Sequence, residues 1–173
     1  AWLEYYQGRF THAIRTAERA ISRYPGFSSA EVVLALSLIQ TGNPGEAATV
    51  LGDAFSREED NVSLLSLLSF ARAREGKIEE AEVLLDRLRD WAGTRYVSPY
   101  YLAVPLQGLG REAETMRALE AAEQERSPQV VYLATEPIFG SWRGRTEFQT
   151  LLHRLKLPSP RTSTAGAMRV EVA

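Results

Sequence analysis

Apolar and small residues recur along this chain in helical stripes separated by glycines. In the stretch GKIEEAEVLLDRLRD (76–90), Ala81, Leu85 and Leu88 fall on one face of a helix. Glu79, Glu80, Glu82, Asp86, Arg87 and Arg89 fall on the other. Those charges describe a solvated surface rather than a catalytic carboxylate pair, because no cleft is implied around them. Ala13, Ala17, Ala20 and Ile21 make a similar stripe within a helix over 11–23, which Pro25 and Gly26 stop. Ala47, Leu51, Ala54 and Phe55 make a third, after Asn43 as cap and Pro44 at the first helical position. Met116, Leu119 and Ala122 make a fourth, over 112–125.

Each striped helix is preceded by another. Residues 2–7 form a short stump. Residues 28–40 form a strongly apolar helix, and Asn61 caps one over 62–74. Ser98 and Pro99 open the last of these, which contains Pro105 six residues in. Proline removes a backbone donor and clashes with the carbonyl four residues back, at about 3 kcal/mol, so a kink or an early helix end is predicted there.

The glycines set the register. Gly8, Gly42, Gly76 and Gly110 stand 34 residues apart. A small residue follows five places later at Ala13, Ala47 and Ala81, the series failing at Thr115. This period and pattern resemble a tetratricopeptide-repeat array. The resemblance implies an all-α fold, a right-handed superhelical array of antiparallel helical hairpins with a helical C-terminal cap. Repeats occupy 1–126, the first incomplete. Its register puts Ala1 in mid-helix, so a fragment of a longer protein is expected.

From Ser127 the period breaks. Residues 127–157 are aromatic-rich and read as short helices separated by Pro137 and Gly140, ending in a helix over 146–155. They are expected to cap the array, with Val131, Tyr132, Phe139, Trp142, Phe148 and Leu152 covering its open end. Residues 158–173 carry little to bury and read as a disordered tail.

Two stretches resemble something narrower. YVSPYYLAVPLQGLG (96–110) and ERSPQVVYLATEPIFGSWRGRTEFQTLLHRLKL (125–157) are similar to the C-terminal repeat arrays of bacterial signalling proteins. There the array follows a winged-helix DNA-binding domain, a nucleotide cyclase or a serine/threonine kinase. That family's tail reads as a proline, an aromatic and a Leu-Arg pair, then an Asp-Pro-Arg-Phe-like run and a leucine-rich helix. Pro137, Phe139, Trp142–Arg143 and Phe148 stand at those places. Arg145, Thr146 and Glu147 depart from the run, and Pro105 departs from an unbroken helix. The resemblance implies a role in signalling or transcription regulation whose output lies in residues upstream.

Composition narrows the chemistry. A net charge of -2 argues against direct nucleic-acid contact by this segment. The chain holds no cysteine, which excludes disulfides and thiolate metal sites and is compatible with a cytoplasmic home. No run reaches the roughly 18 apolar residues of a membrane span. The two histidines, His12 and His153, have no ligating partner nearby, and no phosphate loop or nucleophile elbow is present. Trp142, Arg143 and Arg145 form a small basic-aromatic cluster. It reads as an anion grip or, more plainly, as a packed Trp with solvated arginines. No enzyme, metal or cofactor is expected.

What remains is a concave groove. In the resembled arrays the inward residues of each first helix lie 13, 10, 6 and 3 places before the turn glycine. Here these include Trp2, Tyr5, Val32, Leu36, Ile39, Ser66, Phe70, Tyr100, Val104 and Gln107, with no Lys, Arg or Asn. Gripping a peptide's terminal carboxylate by a basic clamp is therefore excluded. The expected partner-binding stripe is Val32, Leu36, Ile39, Ser66, Phe70, Tyr100, Val104 and Gln107. Its occupant is an apolar or amphipathic protein segment, by analogy with helix-in-groove recognition. Two alternatives stand beside it. One is an oligomerisation spacer whose groove is filled by another copy or by upstream helices. The other is a small-molecule sensor with its pocket where Pro105 breaks the helix.

Overall fold

The computed structural model describes residues 1–158. Most of the tail expected to be disordered, 159–173, lies outside the described residues. Nine α-helices lie among the described residues, with no strand. They are α1 (Trp2–Tyr6), α2 (Phe10–Arg23), α3 (Ser28–Gln40), α4 (Pro44–Arg57) and α5 (Val62–Glu75). Then come α6 (Ile78–Thr94), α7 (Pro99–Gly108), α8 (Glu112–Gln124) and α9 (Thr146–Arg154). Two 3-10 turns, Pro128–Tyr132 and Pro137–Trp142, separate α8 from α9.

The glycine period has a backbone explanation. Gly8, Gly42, Gly76 and Gly110 have φ of 72°, 86°, 88° and 71°, a left-handed conformation that only glycine adopts without penalty. Each turn closes with the same two bonds. Gly42 N–H donates to Ile39 C=O at 3.2 Å and Asn43 N–H to Leu38 C=O at 2.9 Å. Gly76 with Ala73 and Lys77 with Arg72 repeat the pair, as do Gly110 with Gln107 and Arg111 with Leu106. The short α1 ends the same way, through Gly8 with Tyr5 and Arg9 with Glu4. These are Schellman closures, which satisfy carbonyls that a helix end leaves orphaned.

The small residue five places on is a contact point. Ala13, Ala47 and Ala81 are fully buried, each on a second helix that packs against the first helix of its hairpin. Thr115 is equally buried, and its hydroxyl donates back to the Arg111 carbonyl at 3.0 Å, so the polar atom is satisfied within α8. The expected caps at Asn61 and Ser98 accept from Leu64 N–H at 3.1 Å and Tyr100 N–H at 3.3 Å. Asn43 stands at the cap position of α4 but makes no side-chain cap bond.

Pro105 neither breaks α7 nor ends it early. The helix runs on to Gly108, two residues before its turn glycine, as α3 runs to Gln40. The reason lies on the neighbouring helix. Proline leaves the Tyr101 carbonyl without its helical donor, and Ser66 of α5 supplies one from its hydroxyl at 2.6 Å. A pocket opened by a break at Pro105 is therefore not formed. Close packing of α5 against α7 makes this reach short. A Cβ on Gly108 would sit 2.7 Å from Phe70 Cδ2 and 3.1 Å from Ala73 Cβ, so only glycine fits there.

The segment after α8 covers the array's end. Val130, Leu133, Ile138, Phe139, Trp142, Phe148, Leu151 and Leu152 are buried. Phe139 meets Tyr100 edge-on, with ring centroids 6.1 Å apart. Ser98 and Ser127 hydroxyls bond at 2.8 Å in the interior. Two of the expected covering residues differ. Val131 and Tyr132 are 57% and 50% exposed. A 3-10 turn repeats every three residues, so the buried pair is Val130 and Leu133, and the residues between them face out.

Two outcomes follow for stability. Ser66→Ala should orphan the Tyr101 carbonyl and cost about 1–3 kcal/mol. In a Pro105→Ala background the restored backbone donor should shrink that cost to about 1 kcal/mol or less. Denaturant melts of the double-mutant cycle measure the difference, and an equal cost in both backgrounds would contradict this account of the proline. Deleting residues 127–173 should lower the melting temperature and cause aggregation, since it strips the apolar cover from α7 and α8. A truncated chain that stays monomeric and equally stable would rule out the capping role.

Candidate functional site

The expected open stripe is mostly filled. Leu36, Ile39, Ser66, Phe70, Tyr100 and Val104 are buried, at 0–7% exposure, while Val32 and Gln107 are partly exposed. Two packing events close it. The first is the tight α5–α7 contact, which consumes Phe70 and Ser66. The second is the cap, which folds back across the layer of first helices and reaches α1.

That return is made by named groups. The Tyr5 hydroxyl of α1 donates to Glu136 Oε1 at 2.5 Å, across 131 residues of chain and inside the protein. Tyr6 stacks on Tyr132 with centroids 5.5 Å apart and planes 10° from parallel. Trp2 stacks on Tyr6 at 5.8 Å and donates its indole N–H to Ser29 Oγ at 3.0 Å. Gln129 Nε2 donates to the Tyr101 hydroxyl at 3.0 Å.

A cleft of about 160 Å³ remains between these elements. Val32, Leu36, Tyr100 and Val104 line it, so four of the eight predicted groove residues meet there. Ile39, Ser66, Phe70 and Gln107 do not reach it; they pack elsewhere in the interhelical layer. Tyr6, Leu67, Tyr101, Gln129, Tyr132 and Glu136 also line it and were not predicted. Leu67 and Tyr101 lie one residue past the inward offset on α5 and α7, so a wider reading of each helical face finds them. Tyr132 and Glu136 stand beyond the periodic part, where no offset applies.

The electrostatics centre on Glu136. Burial holds its carboxyl above the usual carboxylate range, opposed by the Tyr5 hydroxyl, the Ile138 amide and the charge of Arg143. Tyr5 and Tyr100 are pushed well above the ordinary phenol range, first by burial and then by the charge of Glu136. Tyr6 is raised for the same two reasons. None of the charged side chains at the cleft is basic; Glu136 alone carries charge among its lining residues.

The basic-aromatic cluster is already occupied. Arg145 lies 4.5 Å above the Trp142 ring and pairs with Glu112 at 2.5 Å. Arg143 donates Nη2 to the Glu136 backbone carbonyl at 3.3 Å. Among the described residues no group of His, Cys, Asp and Glu is arranged to hold a metal ion. None of the described helices is long and apolar enough to cross a membrane.

Comparison with known proteins agrees with the helical register. Residues 1–54 match a family model described as tetratricopeptide repeat, and residues 38–101 match a second model of the same description. Residues 1–101 are a tetratricopeptide-repeat array. Neither the curated proteins nor the solved structures give a significant match. The hairpin of α7 and α8 continues the same glycine register past the matched residues, and the cap lies outside them. Tetratricopeptide repeats are generally protein–protein interaction modules, and families built of them alone are typically non-catalytic.

The raised carboxyl of Glu136 fixes the sign of a pH effect. A carboxyl whose folded pKa lies above its unfolded value favours folding below the ordinary range, and that contribution is lost as pH rises through the folded pKa. Glu136→Gln keeps an acceptor for Tyr5 and removes the titration. Relative to the parent chain, this variant should therefore gain stability as pH rises from about 4 to about 8. Melting curves of both proteins across that range give the comparison, and a constant difference would contradict the burial effect.

Proposed function

We propose that this chain is a non-catalytic, cytoplasmic protein–protein interaction module. It forms the partner-binding, regulatory C-terminal part of a larger bacterial signalling or transcription-regulating protein. The signalling context rests on the resemblance of 96–110 and 125–157 to such arrays. The binding role rests on the tetratricopeptide register and on one observation of the fold: a concave, aromatic-lined cleft survives after the cap has packed.

The size of that cleft shapes the reading. An α-helix is about 10–12 Å across with its side chains, too wide for a space of about 160 Å³. A partner segment therefore lies across the mouth and inserts a side chain, rather than sinking a whole helix into a groove. Trp2, Val32 and Tyr132, partly or half exposed, form the rim that it touches.

The test is a selection of short displayed peptides against the folded chain. Binders should lose about tenfold or more in affinity, about 1.4 kcal/mol or more, on Val32→Lys and Tyr132→Ala. Val83→Lys, on an exposed position of α6, should leave them unchanged. Circular dichroism confirms that each variant is folded. Binders that ignore both cleft variants would place recognition elsewhere on the array.

A further inference from the structure

The cleft's polar groups point to one ligand chemistry. Both hydrogen bonds to the Glu136 carboxylate, from Tyr5 O–H and Ile138 N–H, fall on Oε1. Oε2 has no hydrogen-bond partner among the described residues, although the side chain is 4% exposed and lines the cleft. The Gln129 amide spends its N–H on Tyr101 and leaves Oε1 buried without a partner among the described residues. The cleft is therefore lined by a carboxylate and an amide, each with one oxygen that makes no hydrogen bond among the described residues, and by no lysine, arginine or histidine. Arg143 acts on the Glu136 carboxyl through its charge but makes no hydrogen bond to either oxygen: its Nη2 bonds the Glu136 backbone, and its Nε is buried without a partner among the described residues.

The walls complete the pattern. Trp2, Tyr6 and Tyr132 stack in a row at the mouth, and Tyr100 and Tyr101 meet edge-on at 5.8 Å from α7. All five rings line the space. Aromatic rings attract cations through their quadrupole, and the attraction grows when the cation is desolvated. A charged donor facing a carboxylate makes a stronger hydrogen bond than a neutral pair does. The volume, about 160 Å³, falls below the roughly 300–1,000 Å³ of drug-sized pockets and suits one side-chain head.

We propose that the concave cleft binds an alkylammonium group, the head of a lysine side chain on the partner, between Glu136, Gln129 and the surrounding aromatic rings. This deepens the interaction-module reading and rests on it. It changes the expected partner from a purely apolar segment to an amphipathic one that presents a lysine. The ammonium supplies donors for Glu136 Oε2 and Gln129 Oε1, and its alkyl stem lies against Val32 and Leu36.

The probes are n-butylammonium and the uncharged n-pentanol, of similar length, titrated into the whole chain. Binding is read from the ring resonances of the aromatic residues. The ammonium should bind at least about tenfold tighter than the alcohol. Glu136→Gln should erase that preference while leaving alcohol binding in place. Should that variant fail to fold, Gln129→Leu and Tyr132→Leu serve instead, and each should reduce the preference. Equal affinity for the two probes, or a preference untouched in a folded variant, overturns the proposal. Peptides selected as above and bearing lysine should weaken by a similar factor when lysine becomes norleucine. Peptides that bind at the cleft with no such loss sink the ammonium site but leave the interaction module standing. Peptides that ignore the cleft sink the module reading at this site, and the n-butylammonium titration still decides the ammonium site.

Discussion

Every hairpin in this protein closes through one residue held at a positive φ. The next residue must then donate to a carbonyl five places back. That pair of bonds leaves little freedom in how the second helix departs from the first. Because the turn glycines are evenly spaced, successive helices meet at equivalent heights. The buried alanines and Thr115 then fall at the same place in each second helix, five residues after its turn glycine. The layer of first helices, and with it the concave face, inherits its geometry from those turns.

Much of this was legible in the residues. Glycine at a left-handed turn and a small residue at a helix crossing are local requirements, so they leave a local trace at fixed spacing. Pro105 shows the limit. Its penalty is local, but its remedy is the Ser66 hydroxyl on another helix. Nothing near Pro105 announces that remedy. Leu36 and Phe70 show the same limit from the other side. Their offsets place them inward, and they do point inward, but whether an inward face is open depends on what returns to cover it. Here Gly108 admits Phe70 and the cap supplies the rest. Val131 and Tyr132 are half exposed or more because the backbone there winds every three residues, which turns Val130 and Leu133 inward instead.

The candidate site is where legibility ends. Glu136 has an ordinary position in a Pro-flanked turn, and no spacing rule links it to Tyr5. A buried carboxylate is costly unless bonded, and among the described residues only one of its two oxygens is hydrogen-bonded. Sites that bind often leave a polar atom unsatisfied in this way, since full satisfaction would leave nothing for a ligand to gain. The surrounding tyrosines serve the fold through their rings and the site through their position, so fold and site share residues.

The Tyr5–Glu136 bond has a consequence for how the molecule comes apart. An open solenoid is nearly one-dimensional: each repeat touches only its neighbours, and an end can fray while the middle stays intact. Here α1 and the segment after α8 hold each other, so neither can peel away alone. A contact spanning 131 residues closes a long loop, and the entropy of that closure must be met before the contact returns any stability. The same contact sits under tension first when the two ends are drawn apart. The array then behaves as a clasped ring, in which opening at one seam loosens α1 and the cap together.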